Sequence, residues 1–582
     1  MEHSHGGHGA PAAVFNATEY DRTHAPDPLS YIAHDFWPEH GHSAWPSLMV
    51  LHVAALGIAF FILLPVSISL RSVKHRWHLP TLVAFNAFAS LGVFSATLYR
   101  KTTPNLYEGS KHGSLGWVVI AVVVGLSIAE AIGAIQRLAL YLIKTPVSQW
   151  ALAPVLAAIR DADATDSHAS QAEYIGLVQH DDDAHEETLE AHPGNPVSRP
   201  HTRHVRLDSL SPTEVDDLEA GATEHWVRGH SLPYSPTVNH SDLTLHEPSG
   251  PHLRKRSLGF SSKSSLLLTV GNVLFHTLEH ALVPLAFAAS VTGMTVYTGI
   301  CRGAHINGCM AHLIKGGIFW CYGLLSFARY LGAWRALGWA WNRRSSRAPA
   351  WTPSAEMVEC TVIFVYGATN TWMERFAAKP GDPFTTKQVQ HISIAVMFWF
   401  AGLVGMGVES RTLRRWLAPA SASSMLPSGN PLPGLVIGVT GLAMAAHQQA
   451  YVFLVQIHVL WGGLLAAFAA LRWMTYFLLF ARAKTRETDL DDEPGRPPTE
   501  LLASFFLSCG GLVFALSVEP IGLYAMRNGR DDVMMFLCLS VAVTCLAFTW
   551  MLGIMAVNGY LKTQQAAAAA ARRSAPRRSQ SL

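Results

Sequence analysis

The sequence predicts an all-α fold: a polytopic integral membrane protein of about 11 transmembrane helices, amino terminus outside and carboxy terminus inside. Three observations carry this. The 582-residue chain is 50% hydrophobic and only 14% charged, and its mean hydropathy of +0.21 lies outside the usual range of a soluble chain of this size. Its apolar stretches recur at close to the ~20 residues that a helix needs to cross a bilayer. Lys and Arg cluster in alternate connections, the pattern that orients membrane helices with their basic loops inside.

Residues 1–45 form a His-rich segment expected on the luminal or extracellular side. They are polar and aromatic, with no charged start leading into an apolar run. No cleavable signal peptide is therefore expected, and the first span is expected to begin insertion. The sequon Asn16-Ala17-Thr18 makes Asn16 a candidate glycosylation site on that side. Spans at about 46–70, 79–99 and 114–142 make an amino-terminal three-helix membrane domain, 46–142. Residues 143–265 hold eleven histidines and many Asp, Ser and Pro without apolar periodicity, and are expected to be a disordered cytoplasmic loop. A carboxy-terminal membrane domain, 266–560, holds spans at about 266–293, 311–333, 357–374, 388–409, 432–449, 453–480, 501–520 and 533–560. The run 431–480 also permits a re-entrant turn at His447 to Tyr451. A basic cytoplasmic tail, 561–582, follows with Arg572, Arg573, Arg577 and Arg578.

A net charge of +2 from dispersed residues, without a basic stripe, excludes the usual footprint of a nucleic-acid partner. No P-loop, GxGxxG turn, HExxH or GxSxG elbow is present. Transmembrane oxidoreduction is the one enzymatic class left to consider, with an electron donor and acceptor outside the chain. Seven cysteines include no CxxC pair. Cys301 and Cys309 are expected to be exposed on the outer side, where their spacing permits either a disulfide or two free thiols.

Histidines in or beside the spans are the main candidates for chemistry, because an imidazole is costly in lipid and is a ready haem or metal ligand. His52 in the first span and His112 at the mouth of the third are predicted at matching depth. One imidazole from each side is what a six-coordinate b-type haem requires. His78, at the inner end of the second span, has His276 or His280 as a possible partner on the fourth, which defines a second haem site. The HxxxH spacing of His276 and His280 also suits zinc. Glu279 is expected to pair with Glu130 only with a proton or cation between them. At the outer ends of spans five to ten, His312, His391, His447, His458, Glu374 and Glu519 are predicted to form a ring. Such a ring suits a divalent cation, a proton relay or an interfacial polar belt. Gly402, Gly405 and Gly407 are expected at helix contacts.

The residues Leu48 to His52, Pro65, Arg71, Trp77-His78, His112 to Gly116, Gln136 and Asn272 to His276 resemble the core of the ascorbate-dependent transmembrane cytochromes b. That resemblance implies a four-helix bundle of the first four spans holding two haems b. A second resemblance covers spans four to eleven. Ala311 to Phe319, Tyr322 to Leu324, Gly338 to Asn342, Pro353 to Glu356, Tyr366 to Asn370, Gly405-Met406 with Glu409-Ser410, and Arg496 to Leu501 look like the fungal Ytp-one-like family. Its carboxy-terminal domain follows an amino-terminal domain of unknown function, to which residues 40–142 are similar. The family's described likeness to mitochondrial electron-transport proteins implies a direction for function.

Three functions compete. The first is a b-type haem protein in transmembrane electron transfer, the second a non-redox transporter or metal-ion-handling protein, and the third a membrane scaffold. The expected location is a secretory-pathway, vacuolar or plasma membrane, with a mitochondrial one left open.

Overall fold

The computed structural model describes residues 12–23, 28–36, 45–147, 155, 159, 262–342, 352–373, 381–417, 429–447, 449–485 and 496–574. The chain divides into a unit of Met1–Ala162 with Gly271–Leu582 and a second, Asp163–Val270. The account below concerns the first. The expected loop 143–265, the amino-terminal histidines before residue 12, and Glu374 lie wholly or mostly outside the described residues.

Two short helices, α1 (Ala17–Thr23) and α2 (Tyr31–Phe36), precede the membrane helices. A helix then occupies each of the eleven predicted stretches. The amino-terminal set is α3 (Pro46–Ser72), α4 (His78–Thr102), α5 (His112–Lys144) and α6 (Ser262–Thr298). After it come α7 (Ile306–Leu331), α8 (Ala355–Met373), α9 (Thr386–Glu409), the short α10 (Arg411–Leu417), α11 (Leu432–Ala445) and α12 (Val452–Thr485). The last are α13 (Pro498–Leu516), the short α14 (Glu519–Arg527) and α15 (Val533–Ser574). Among the described residues eight of these are long and apolar enough to cross a membrane. The other three have physical reasons for falling short. Lys315 and Arg329 lower the hydropathy of α7, and Glu356 and Glu359 that of α8. α11 has 14 residues, a rise of about 21 Å against a hydrocarbon core of about 30 Å. The protein is an all-α, multi-pass integral membrane protein.

The connections predicted to be outer gather at one end. The Tyr107 hydroxyl donates to the carbonyls of Ile300 (2.9 Å) and Cys301 (2.8 Å), and Arg302 donates to Leu106 O at 2.9 Å. Burial pushes the Tyr107 phenol above its ordinary pKa, with the Arg302 charge pulling the other way, so it stays a donor. His305 meets Glu519 at 3.1 Å and Arg527 meets Asp21 at 2.8 Å. Ala13 exchanges two backbone hydrogen bonds with the turn between α11 and α12, to Ala450 and from Val452. Cys301 and Cys309 form a disulfide, and both are only 2% exposed, packed with Val518. This corrects the expectation of two exposed cysteines: the 299–305 connection folds inward beneath α14.

Two cores form. In the first, Ala59, Phe60 and Leu64 of α3 pack with Phe85 and Ala89 of α4, Val119 and Val123 of α5, and Leu282 and Ala286 of α6. The fourth span thus packs with the three amino-terminal ones. In the second, Trp461, Leu465 and Phe468 of α12 pack with Val436 of α11, Phe398 of α9, Ile363 of α8, Phe319 of α7, and Leu507 and Phe514 of α13. α3 carries a π-helical turn, Ala59–Leu63, just before Pro65. Proline has no N–H to give the carbonyl four residues back. That carbonyl, Phe61 O, instead accepts the indole N–H of Trp550 from α15.

Lipid gives helices no hydrophobic reason to associate, so small residues that let backbones approach do much of the work. Gly316 of α7 faces Gly511 and Ala515 of α13, Gly402 of α9 faces Phe364 of α8, and Gly441 of α11 faces Gly462 of α12. Gly402 and Gly405 therefore are helix contacts, as expected, while Gly407 faces Leu413 of α10. A Cβ on Gly316 would sit 2.6 Å from Ala515 N and from Gly511 O. Gly316→Ala is expected to cost about 1–3 kcal/mol through forced helix separation. Gly463→Ala, with nothing within 4 Å of the added carbon, is expected to cost nothing. Thermal unfolding of the purified protein in detergent compares the two.

Candidate functional site

α3 and α5 bring His52 and His112 together at the end where residues 13–36 lie. Their ring centroids are 6.4 Å apart with an 81° angle between the planes. Each ring is held through Nδ1. His52 Nδ1 donates to Gly92 O of α4 at 2.9 Å. His112 Nδ1 lies 3.2 Å from Thr292 Oγ1 of α6, and that hydroxyl already donates to Ala289 O at 3.0 Å. Thr292 therefore accepts from His112, and both imidazoles keep the lone pair on Nε2, the tautomer that ligates metal. Gly293 leaves room beside the second ring: a Cβ there would sit 3.1 Å from His112 Cε1. Beyond the pair, the buried Asp35 of α2 accepts the hydroxyls of Tyr99 (3.0 Å) and Tyr297 (2.9 Å).

The second predicted pair is built differently. Between His78 and His276 lies a chain of charges. His78 Nε2 is 3.8 Å from Glu130 Oε1, Glu130 Oε1 is 2.8 Å from Arg71, Arg71 is 3.3 Å from Glu279, and Glu279 is 3.7 Å from His276. Arg71 is the cation that the Glu130–Glu279 pairing required, and its guanidinium also lies 4.0 Å over the Phe275 ring. His280 Nδ1 donates to His276 O at 2.7 Å, the ordinary resting contact of a helical histidine.

The predicted outer ring resolves into two separate pairs. His312 and His458 stand 5.7 Å apart between ring centroids, beside Phe514 and Trp461. His391 and His447 stand 5.7 Å apart, and His447 Nδ1 is 3.0 Å from Gln390 Oε1. Glu519 turns to His305 instead. Among the described residues no three His, Cys, Asp or Glu side chains group as metal ligands. Asn16 is exposed, and its side-chain carbonyl accepts Glu19 N at 3.3 Å to cap α1.

A site that the histidine survey missed lies at the opposite end of the carboxy-terminal helices. Five buried charges alternate in sign across four of them. Arg329 of α7 binds Glu356 (3.1 Å) and Glu359 (2.6 Å) of α8, while its Nε donates to Trp339 O at 2.9 Å. Arg472 of α12 lies 3.8 Å from the second Glu359 oxygen and 2.7 Å from Glu500 of α13. The Ser326 hydroxyl takes a hydrogen bond from Arg472 at 2.6 Å and donates to Glu500 at 3.1 Å. Trp341, 1% exposed, closes the cluster: the two guanidinium centres lie 4.9 and 4.7 Å from its ring, and Tyr476 stacks on it at 10°. Glu409 of α9, which accepts the Ser354 hydroxyl at 2.7 Å, lies nearby. The signal was available: Arg329, Glu359 and Arg472 are charges inside apolar runs, where an ionisable residue marks function by default.

The class defined here is a multi-pass helical membrane protein with polar clusters built into both ends of its helices. The chain carries the carboxy-terminal domain of the YTP1-like family. Residues 285–559 match the family model described as "Protein YTP1-like, C-terminal", and residues 39–134 match a domain of unknown function, DUF2427. An uncharacterized membrane protein of Schizosaccharomyces pombe is 28% identical over 544 residues, covering 89% of this chain and 94% of its own. An uncharacterized membrane protein of Saccharomyces cerevisiae is 36% identical over 308 residues, 49% of this chain and 48% of its own. The protein YTP1 of Saccharomyces cerevisiae is 26% identical over 311 residues, 52% of this chain and 60% of its own. No solved structure matches.

Removing one partner of a buried ion pair strands the other, at a cost of about 3–5 kcal/mol. Arg472→Met is expected to cost that much, because Glu500 and the inner oxygen of Glu359 both lose their cation. Loss of a monodisperse peak in detergent gel filtration, or a fall in melting temperature, measures it.

Proposed function

We propose that the protein is a membrane-embedded b-type haem protein that carries electrons, with His52 and His112 as the residues that would hold the haem. The observation that carries this is the geometry of the pair: two Nδ1-anchored imidazoles with Nε2 free to ligate, 6.4 Å apart between centroids. Two imidazoles from neighbouring helices are the ligand set that a b-type haem would take. The residues present therefore fit the group. Haem b, when bound, supplies reversible one-electron chemistry at iron.

The chain's own residues do the rest. Gly92 O and Thr292 fix the ligand tautomers and raise the basicity of the ring nitrogens that face inward. Gly293 gives space that any larger side chain would take from His112. Asp35, anchored by Tyr99 and Tyr297, holds α2 about one to two helical turns beyond the pair, which limits water access from that end. The donor and acceptor of electrons are separate molecules. The reading takes one haem rather than two, since the other end of the bundle holds the Arg71 ion chain.

Reduced-minus-oxidised spectra of the purified protein are expected to show a b-type band, lost in His52→Ala and in His112→Ala. His78→Ala and His276→Ala are expected to keep it. Haem-free protein from cells supplied with haem, with normal folding, overturns the proposal.

A further inference from the structure

The alternating chain Glu356, Arg329, Glu359, Arg472, Glu500 carries three carboxylates and two guanidiniums. Fully ionised, it holds one uncompensated negative charge inside the helix bundle. Burying an unbalanced charge costs several kcal/mol, and a carboxyl in that position takes up a proton or cation instead. Among the described residues, the other titratable groups that reach the cluster carry no positive charge. Tyr322 of α7, Tyr476 of α12 and Cys360 of α8 are neutral or acidic, and Glu409 of α9 adds a further carboxyl.

The geometry distinguishes the three carboxylates. Glu359 lies between both guanidiniums, with an oxygen toward each. Glu356 accepts from Arg329 in a pair aligned by the Trp339 carbonyl. Glu500 is 0% exposed, and only its Oε1 is engaged, by Arg472 and Ser326. Its Oε2 is buried with no protein hydrogen-bond partner. So is the hydroxyl of Tyr476, a residue 8% exposed and within electrostatic reach of Glu356, Glu359 and Arg472. The Tyr322 hydroxyl and Arg472 Nε are in the same position. Buried polar atoms are nearly always satisfied, so this concentration of open donors and acceptors in the cluster around Arg472 marks a place where a small polar species sits.

We propose that this cluster is a proton-binding site, with Glu500 as the carboxyl that holds the proton, Arg472 and Ser326 as the groups that touch it, and Tyr322 and Tyr476 as further polar groups against Arg472. No bond other than O–H forms or breaks: one proton from the medium adds to a Glu500 oxygen, and the cluster becomes neutral. The site belongs to the carboxy-terminal helices and stands independently of haem at His52 and His112.

Infrared spectroscopy of the full-length protein in lipid nanodiscs tests this at neutral pH, using the C=O band of a protonated carboxyl and its shift in D2O. The expected result is one such band in the wild type that is lost in Glu500→Gln, with the variant keeping its melting temperature because the amide mimics the neutral acid. Glu500→Asp is expected to keep a band at a shifted frequency, which guards against a variant that fails to fold. Absence of the band in the wild type overturns the proposal, as does a band unchanged in Glu500→Gln. A band in the wild type that appears only when sodium and potassium are replaced by choline assigns the site to a metal cation and also overturns it.

Discussion

A bilayer supplies neither hydrogen bonds nor solvation, so every charge that helices carry into it must be met by another charge from a neighbouring helix. The five-membered ion chain is the place where this constraint organises the molecule. α7, α8, α12 and α13 each contribute to it, and none of its five charges has its ion-pair partner on its own helix. Packing of apolar faces tolerates sliding; an ion chain with Arg472 bound to Glu500 at 2.7 Å and Arg329 to Glu359 at 2.6 Å does not. It fixes the register of four helices, and the glycine contacts between α7 and α13 and between α8 and α9 then hold the backbones at the distance that register demands.

The helices were legible in the sequence because length and hydropathy are local quantities. All eleven stretches became helices, and the turn proposed at His447 to Tyr451 is where α11 ends and α12 begins. Side-chain partners are not local. His52 and His112 could be matched because both lie near predicted span ends, where depth follows from counting residues. His78 and His276 were matched by the same count, but counting cannot see that Arg71, Glu130 and Glu279 point into the space between them. The outer histidines show a related effect. Common depth places residues on one plane, while rotation about each helix decides which of them meet, and it sorted the four histidines into two pairs.

The buried cluster was overlooked for a different cause. Glu356, Glu409 and Glu500 were noticed only as parts of family motifs, and Arg329, Glu359 and Arg472 not at all, since each alone is a single charge near a span end or within an otherwise apolar run. Their meaning arises from addition. Two guanidiniums at 4.9 and 4.7 Å from the one Trp341 ring show that the 332–342 connection, which the hydropathy pattern leaves as a plain loop, folds back as the lid of the charged site. The motif Gly338 to Asn342 therefore has a structural reason: it delivers an aromatic face to two cations.

The hydrogen bond from Trp550 to Phe61 O links positions 489 residues apart. A ribosome adds roughly 5–20 residues each second, so the first membrane helix spends about 25–100 s in the bilayer before the indole that completes its backbone has been made. During that interval the Pro65 break leaves one carbonyl of the helix without its final donor, in the medium where an unmet carbonyl is most costly. Biogenesis must therefore shelter α3 by other means, through water, its neighbour α4 or the insertion machinery, and the chain reaches its finished form only when its last helix returns to its first.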